Sequence, residues 1–264
     1  MTYLGPIPLM RALVLLACTA CGRVAFDPGP DGATDGSGIV GPCGRSGGVP
    51  SSVVVRGKTF TYTNFNNGTA PLETSAVTAY ALDLTSTIAT TTSDASGLYS
   101  LAFPTAGQPR ASVIAYEHLG YWTTSVHTDQ PFDRDVMGLD TMHWRLGDGP
   151  LWSDSSMYGT LGATLDNTKG TLSVSVRDCA DNIVEGVSFA ITPSPQVGAY
   201  LDGAGLPSMT ATSTVGPYTQ YVAFNVEPGP THIRASAAAM QFVDLDVVVK
   251  AGQNMTYTVV HPIE

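Results

Sequence analysis

Apolar residues recur at every second position in short runs along most of this chain, and that spacing confines it to β-strands. Tyr99, Leu101 and Phe103 alternate with Ser100 and Ala102, and Leu172, Val174 and Val176 alternate with Ser173 and Ser175. A strand turns successive side chains to opposite faces, so each run offers one face to a core. Phe60 and Tyr62 share a face in the same way, as do Val77, Ala79 and Ala81. Turn formers separate the runs: Asn66-Asn67-Gly68, Asp94 to Gly97, Asp178 to Asn182 and Ala251 to Asn254. The 264 residues include 28 glycines and 18 prolines, and only 13% are charged. That composition makes many short strands joined by turns and leaves little for long helices. The expectation is an all-β chain. Its net charge of −10 argues against nucleic acid as a partner, because the phosphates would repel the surface.

The first residues are of another kind. Arg11 precedes an apolar run from Ala12 to Ala20. That run fits the roughly 7–15 residues of a cleavable export signal and falls short of the about 20 that span a bilayer. The segment resembles the lipobox of bacterial lipoproteins, where small residues precede a cysteine that takes a diacylglycerol and becomes the new N-terminus. Cys21, behind Thr19-Ala20, has the better length of apolar core ahead of it; Cys18, behind Leu15-Leu16-Ala17, is the alternative. The resemblance implies a signal peptide over 1–20 and a membrane hold through N-terminal acyl chains. It places the protein in the cell envelope, and Gly22 in place of Asp after the cysteine leans towards the outer membrane, on its periplasmic face or at the cell surface.

Residues 21–52, rich in Gly, Pro and Asp, read as a flexible tether. Asp27, Asp31 and Asp35 recur every four residues, which is not the alternate-position ligand pattern of a calcium loop. Once the lipobox cysteines are set aside, Cys43 and Cys179 remain. In an oxidising compartment they either form a disulfide between the tether and the second half of the chain or lie buried as separate thiols.

From Ser93-Asp94-Ala95-Ser96-Gly97-Leu98-Tyr99-Ser100-Leu101 to Leu119-Gly120-Tyr121, the chain resembles a carboxypeptidase regulatory-like domain, a transthyretin-like β-sandwich. The likeness covers roughly 53–145 and implies a noncatalytic module with no active-site residues. A second, similar run occupies 170–264, where Tyr221-Val-Ala-Phe-Asn-Val matches Tyr99-Ser-Leu-Ala-Phe-Pro and is likewise followed by a short apolar strand. The segment 146–169 reads as a linker. Asp244 to Val249 and Met255 to Val260 read as closing strands joined by a hairpin turn. The expected architecture is therefore two tandem Ig-like, transthyretin-like antiparallel β-sandwiches.

Catalytic signatures are lacking: there is no Gly-x-Ser-x-Gly, no His-Glu-x-x-His and no P-loop. His118, His127, Asp129, Asp133, Asp135, Asp140 and His143 could supply metal ligands, which would suit a metal-dependent enzyme, yet their spacing fits no ligand pattern and solvated turns explain them better. Trp122 and Trp144 are the candidate ligand-binding residues, since exposed rings stack on sugars. The reading is a noncatalytic, lipid-anchored envelope protein, with no cofactor, that presents or spaces a binding or adhesion surface towards an envelope glycan or protein. The alternative is a carbohydrate- or peptide-binding module that uses loop aromatics.

Overall fold

The computed structural model describes residues 25–26, 43, 47–63, 68–146 and 154–263; the lipobox cysteines Cys18 and Cys21 lie outside them. The chain is all-β. Its first part contains β1 (Ala25–Phe26), β2 (Ser52–Tyr62), β3 (Thr69–Pro71), β4 (Ala76–Tyr80) and β5 (Thr87–Thr92). There follow β6 (Leu98–Pro104), β7 (Val113–Glu117), β8 (Thr123–Thr128), β9 (Val136–Met137) and β10 (Thr141–Met142). A short helix, α1 (Asp154–Thr160), leads to β11 (Gly170–Val176), β12 (Ser188–Thr192), β13 (Val197–Leu201) and β14 (Pro207–Ser208). The chain closes with β15 (Gln220–Val226), β16 (Gly229–Ser236), β17 (Leu245–Val249) and β18 (Asn254–Val260).

The strand runs follow their alternation. In β6 the pattern is strictly exposed–buried, with Tyr99, Leu101 and Phe103 inside. The turn before it is built by Asp94, whose carboxylate accepts from the backbone N–H of Ser96 (2.8 Å) and Leu98 (3.0 Å). Asp178 makes the same turn by accepting from Ala180 and Asn182 N–H, and Asp202 does so with Ala204 and Leu206. An Asp carboxylate capping its own loop in this way fixes where a strand can begin.

Three sheets form. A six-stranded sheet gathers β1, β9, β2 and β10 with β3 and β6 also on β2; a three-stranded sheet runs β12-β16-β17. Between them, a nine-stranded sheet runs β14-β13-β15-β11-β18-β8-β7-β4-β5 through both halves of the chain. Its two ends serve different sandwiches on opposite faces. Val77, Ala79, Ile114, Tyr116 and Val126 face the six-stranded sheet and form the first core with Val53, Val55, Leu101 and Phe103. Leu172, Val174 and Val176 face the three-stranded sheet and form the second core with Ile233, Val247 and Val249.

β18 joins the halves. It lies parallel to β11 on one side and parallel to β8 on the other, with Met255 opposite Thr124 and Val259 opposite Thr128. The hairpin expected between residues 244–249 and 255–260 is not formed: β17 pairs with β16 in one sheet, while β18 crosses over into the nine-stranded sheet. The physical reason is that both faces of β18 have a core to fill. Val259 packs in the first core with Tyr257 against it, Val260 packs in the second, and Met255 in a third between them. The end towards which β8, β11 and β18 all run is called the lower end below.

The segment 146–169 is also more than a spacer. Within it, α1 carries Met157 and Tyr158, which are buried in that third core. Two points of the expected free tether are also held, since Ala25–Phe26 pairs with β9 and Cys43 is bonded to Cys179.

A shared sheet predicts a shared transition. Calorimetry should show one unfolding endotherm for both halves, and Trp122→Ala should lower stability by about 3–5 kcal/mol while keeping it single. Two resolved endotherms in the parent chain would contradict this.

Candidate functional site

The densest convergence of side chains lies at the seam between the sandwiches. Phe60 and Tyr62 from the end of β2, Trp122 before β8, Trp144 after β10, Met157 and Tyr158 from α1, and Phe224 from β15 meet there with Met255. The two indole rings stand 5.4 Å apart at 48°, and Tyr158 lies 4.5 Å from Phe224, edge-on. Trp122 N–H donates to the Trp144 carbonyl at 2.9 Å, which ties the two segments that deliver the rings.

Both tryptophans have 0% exposure. Neither can therefore serve as the sugar-stacking platform expected of it, because its faces are already covered by protein. Each large ring buries roughly 150–250 Å², which at about 25 cal/mol per Å² is worth several kcal/mol of cohesion between the halves. What looked like binding aromatics are packing residues of the seam.

The polar face of β11 is buried here as well. All seven of its residues are buried, although the alternation of Thr171, Ser173 and Ser175 reads as a solvent face. Hydrogen bonds make that burial tolerable: Tyr158 Oη pairs with Thr171 Oγ1 at 2.9 Å, Gln220 Nε2 donates to Ser173 Oγ, and Ser175 Oγ donates to the Thr219 carbonyl.

Two of the sequence-selected histidines sit in or beside the seam. His127 in β8 lies opposite Thr258 of β18 and is 3% exposed, and its Nε2 has no hydrogen-bond partner among the described residues. Burial pushes its pKa down to about 4, with Lys250 adding to the effect. His143 is fully buried, its backbone N–H bonded to the Phe60 carbonyl and its Nδ1 3.4 Å from the Trp122 carbonyl. Burial pushes it down to about 4 as well, opposed by the Trp122 carbonyl and helped by His118. The His118 ring lies 6.5 Å from that of His143, and its Nδ1 is 3.1 Å from Ser75 Oγ.

The carboxylates of the expected metal cluster point elsewhere. Asp133 pairs with Arg134, Asp135 accepts from Val54 N–H, and Asp140 accepts from Lys58 N–H, its pKa raised by burial. Among the described residues, no group of three His, Cys, Asp or Glu could hold a metal ion. Asp129 instead grips His261 just past β18, accepting from its backbone N–H at 2.7 Å and lying 2.8 Å from its Nδ1. The two residues are 132 positions apart, and nothing local to either one marks this clamp. It closes the lower end of the β8–β18 junction.

Cys43 and Cys179 form a disulfide with Cα atoms 5.4 Å apart. Cys179 lies in the turn that follows β11, so the staple attaches the N-terminal segment to the second sandwich at the lower end.

No family model and no curated protein sequence matches the chain. Solved structures similar to it include the shaft pilin SpaA of Lactobacillus rhamnosus GG, at 11% identity over 80% of this chain and 98% of that one, with a TM-score of 0.26. The minor pilin GBS52 of Streptococcus agalactiae, at 9% identity, covers 80% of this chain and 97% of its own, with a TM-score of 0.25. The major pilin BcpA of Bacillus cereus, also at 9%, covers 81% of this chain and 100% of its own, with a TM-score of 0.25. The likeness is one of β-rich architecture and extends no further.

The seam makes stability depend on pH with a definite sign. An unfolded histidine titrates near about 6.5, whereas His127 and His143 stay neutral in the folded chain down to about 4. Between those limits only the unfolded chain takes up the protons. Stability is thus complete above about pH 6.5 and falls towards pH 4, by up to about 3 kcal/mol per histidine. Urea midpoints across that range should record the fall, and it should be shallower in His127→Gln/His143→Gln; an unchanged slope in that variant would assign the effect to other groups.

The staple closes a loop of 136 residues. Cys179→Ser, or reduction of the parent chain, should cost about 2–4 kcal/mol by freeing the unfolded state. Identical urea midpoints with and without reductant would show that the bond contributes nothing.

Proposed function

We propose that this chain is a noncatalytic module of the bacterial cell envelope, anchored by acyl chains on Cys21, that presents or spaces a binding surface. The observation that carries the reading is the seam. The tryptophans that looked equipped for ligand stacking are consumed in joining two sandwiches into one body, and Asp133, Asp135 and Asp140 are taken up by partners in the first sandwich, which suits a rigid spacer better than an enzyme. The lipobox-like start supports the anchor, and Gly22 after Cys21 supports the outer membrane as its destination. The Asp94 to Leu101 and Leu119 to Tyr121 motifs support descent of the first sandwich from carboxypeptidase regulatory-like modules.

One acyl chain holds a protein to a bilayer only marginally, whereas several make the attachment stable, at about 0.8 kcal/mol per buried methylene. The measurement that tests the reading is the intact mass of the mature protein from a bacterial host, with peptide mapping of its N-terminus. The expected product begins at Cys21 and carries diacylglycerol and an N-acyl chain; Cys21→Ser should remain unprocessed. A mature protein that is soluble and unacylated would overturn the anchored reading, and acylation at Cys18 would move the anchor by three residues.

A further inference from the structure

The two ends of the second sandwich differ in surface chemistry. Its exposed large hydrophobic residues among those described are Ile183, Met209, Val215, Met240, Val243 and Ile263, with exposures from 42 to 73%. The strand directions place five of them at the lower end; Met209 follows β14, which runs away from that end beside β13. Ile183 lies in the loop after β11, Val215 in the segment leading into β15, Met240 and Val243 between β16 and β17, and Ile263 beyond β18. The upper-end turns at 193–196, 227–228 and 250–253 carry no large apolar residue.

These loops form one surface. Gly186 N–H donates to the Thr214 carbonyl at 2.9 Å and Thr214 N–H to the Val187 carbonyl at 2.8 Å, which binds the first two loops together. Ile263 N–H donates to the Gln241 carbonyl at 2.8 Å, and Phe242 bridges Pro262, which brings the chain's last described residues onto the third. Arg177 N–H donates to the Val260 carbonyl and its strand bridge reaches Ile183, linking the two pairs.

Charge selects the occupant. The same loops carry Asp178, Asp181, Glu185 and Asp202 against Arg177, while Asp244 is paired with Arg234 of β16. Phospholipid phosphates and anionic headgroups would be repelled by that set, and so would a second copy of this acidic chain. A protein surface with apolar groups at its centre and Lys or Arg at its rim matches both features.

We infer that the lower end of the second sandwich docks a basic-rimmed, apolar protein surface in the envelope. The inference rests on the reading of the chain as a presenting module and does not depend on acylation. Because Cys43 is stapled to Cys179 in one of these loops, the docked partner sits beside the staple.

The test is site-specific photocrosslinking in the cells that produce the chain, with p-benzoylphenylalanine at Val215, Met240 or Ile263, and at Gln196 or Gln253 as upper-end controls. The expected result is a protein adduct of one defined mass from the lower positions, at least tenfold weaker from the upper ones. Glu185→Gln/Asp181→Asn keeps an acceptor for Gly216 N–H and removes two charges, and should reduce the adduct at least threefold with the circular dichroism spectrum unchanged. Adducts to lipid alone, adducts between two copies of this chain, equal yields from both ends, or no adduct would each overturn the inference. The crosslinking pattern is read independently of the N-terminal mass, so loss of the anchor and loss of the docking face are told apart.

Discussion

The parallel pairing of β18 with β8 is the contact on which the rest of the molecule depends. It places the last strand of the chain between two halves that would otherwise each end in an edge. Without it β8 would present a row of unpaired backbone groups, and the first core would lose Val259. The pairing joins residues 254–259 to 123–128, so a long loop must close before either sandwich is complete. Such closure costs entropy before it returns contacts, and it couples the formation of the halves. The chain has two hydrophobic cores of sandwich type joined by one continuous sheet.

That arrangement explains why hydroxyl side chains of β11 are buried beside the seam. A strand at the centre of a wide sheet has both faces covered, and a sequence that alternates Thr or Ser with Val must then bury its hydroxyls. β11 does so by hydrogen bonding Thr171, Ser173 and Ser175 to Tyr158, Gln220 and Thr219. His127 shows the cost where no such bond is available. Its Nε2 is buried without a partner among the described residues, and a buried polar atom left so costs about 1–3 kcal/mol. A core of valines at these positions would be cheaper, but it would accept a slipped register more readily. One-residue slippage of β18 would bring Thr256 and Thr258 into the first core and expel Val259 from it, which the polar partners on each face resist.

How much of this was legible in the sequence follows from the range of each interaction. The inward set Tyr99, Leu101 and Phe103 and the turns at Asp94 and Asp178 were readable, because alternation and side-chain capping are local. The place of β18 was not. Met255-Thr-Tyr-Thr-Val-Val has the same alternation whether it closes a hairpin with β17 or fills the middle of a wide sheet, and only the tertiary fold decides. The same ambiguity hid the role of Trp122 and Trp144, since an aromatic ring is equally suited to bind a sugar or to fill a joint. The Asp129–His261 clamp left no trace, its partners being far apart and each ordinary in its own neighbourhood.

The direction of the strands gives the molecule a polarity that composition alone does not. β8, β11 and β18 all finish at one end, and the elements that follow them, Asp129, Cys179 and His261, close that end with a clamp and a covalent staple. In the proposed anchored state, force or thermal motion transmitted from Cys21 meets the body first at β1, paired with β9 in the six-stranded sheet, and then at the staple at the lower end. The first sandwich, whose residues lie between Cys43 and Cys179, hangs inside the closed loop and is held by the seam. A presenting module gains from that geometry, because the N-terminal segment is then held at two points, β1 on the six-stranded sheet and Cys43 at the lower end.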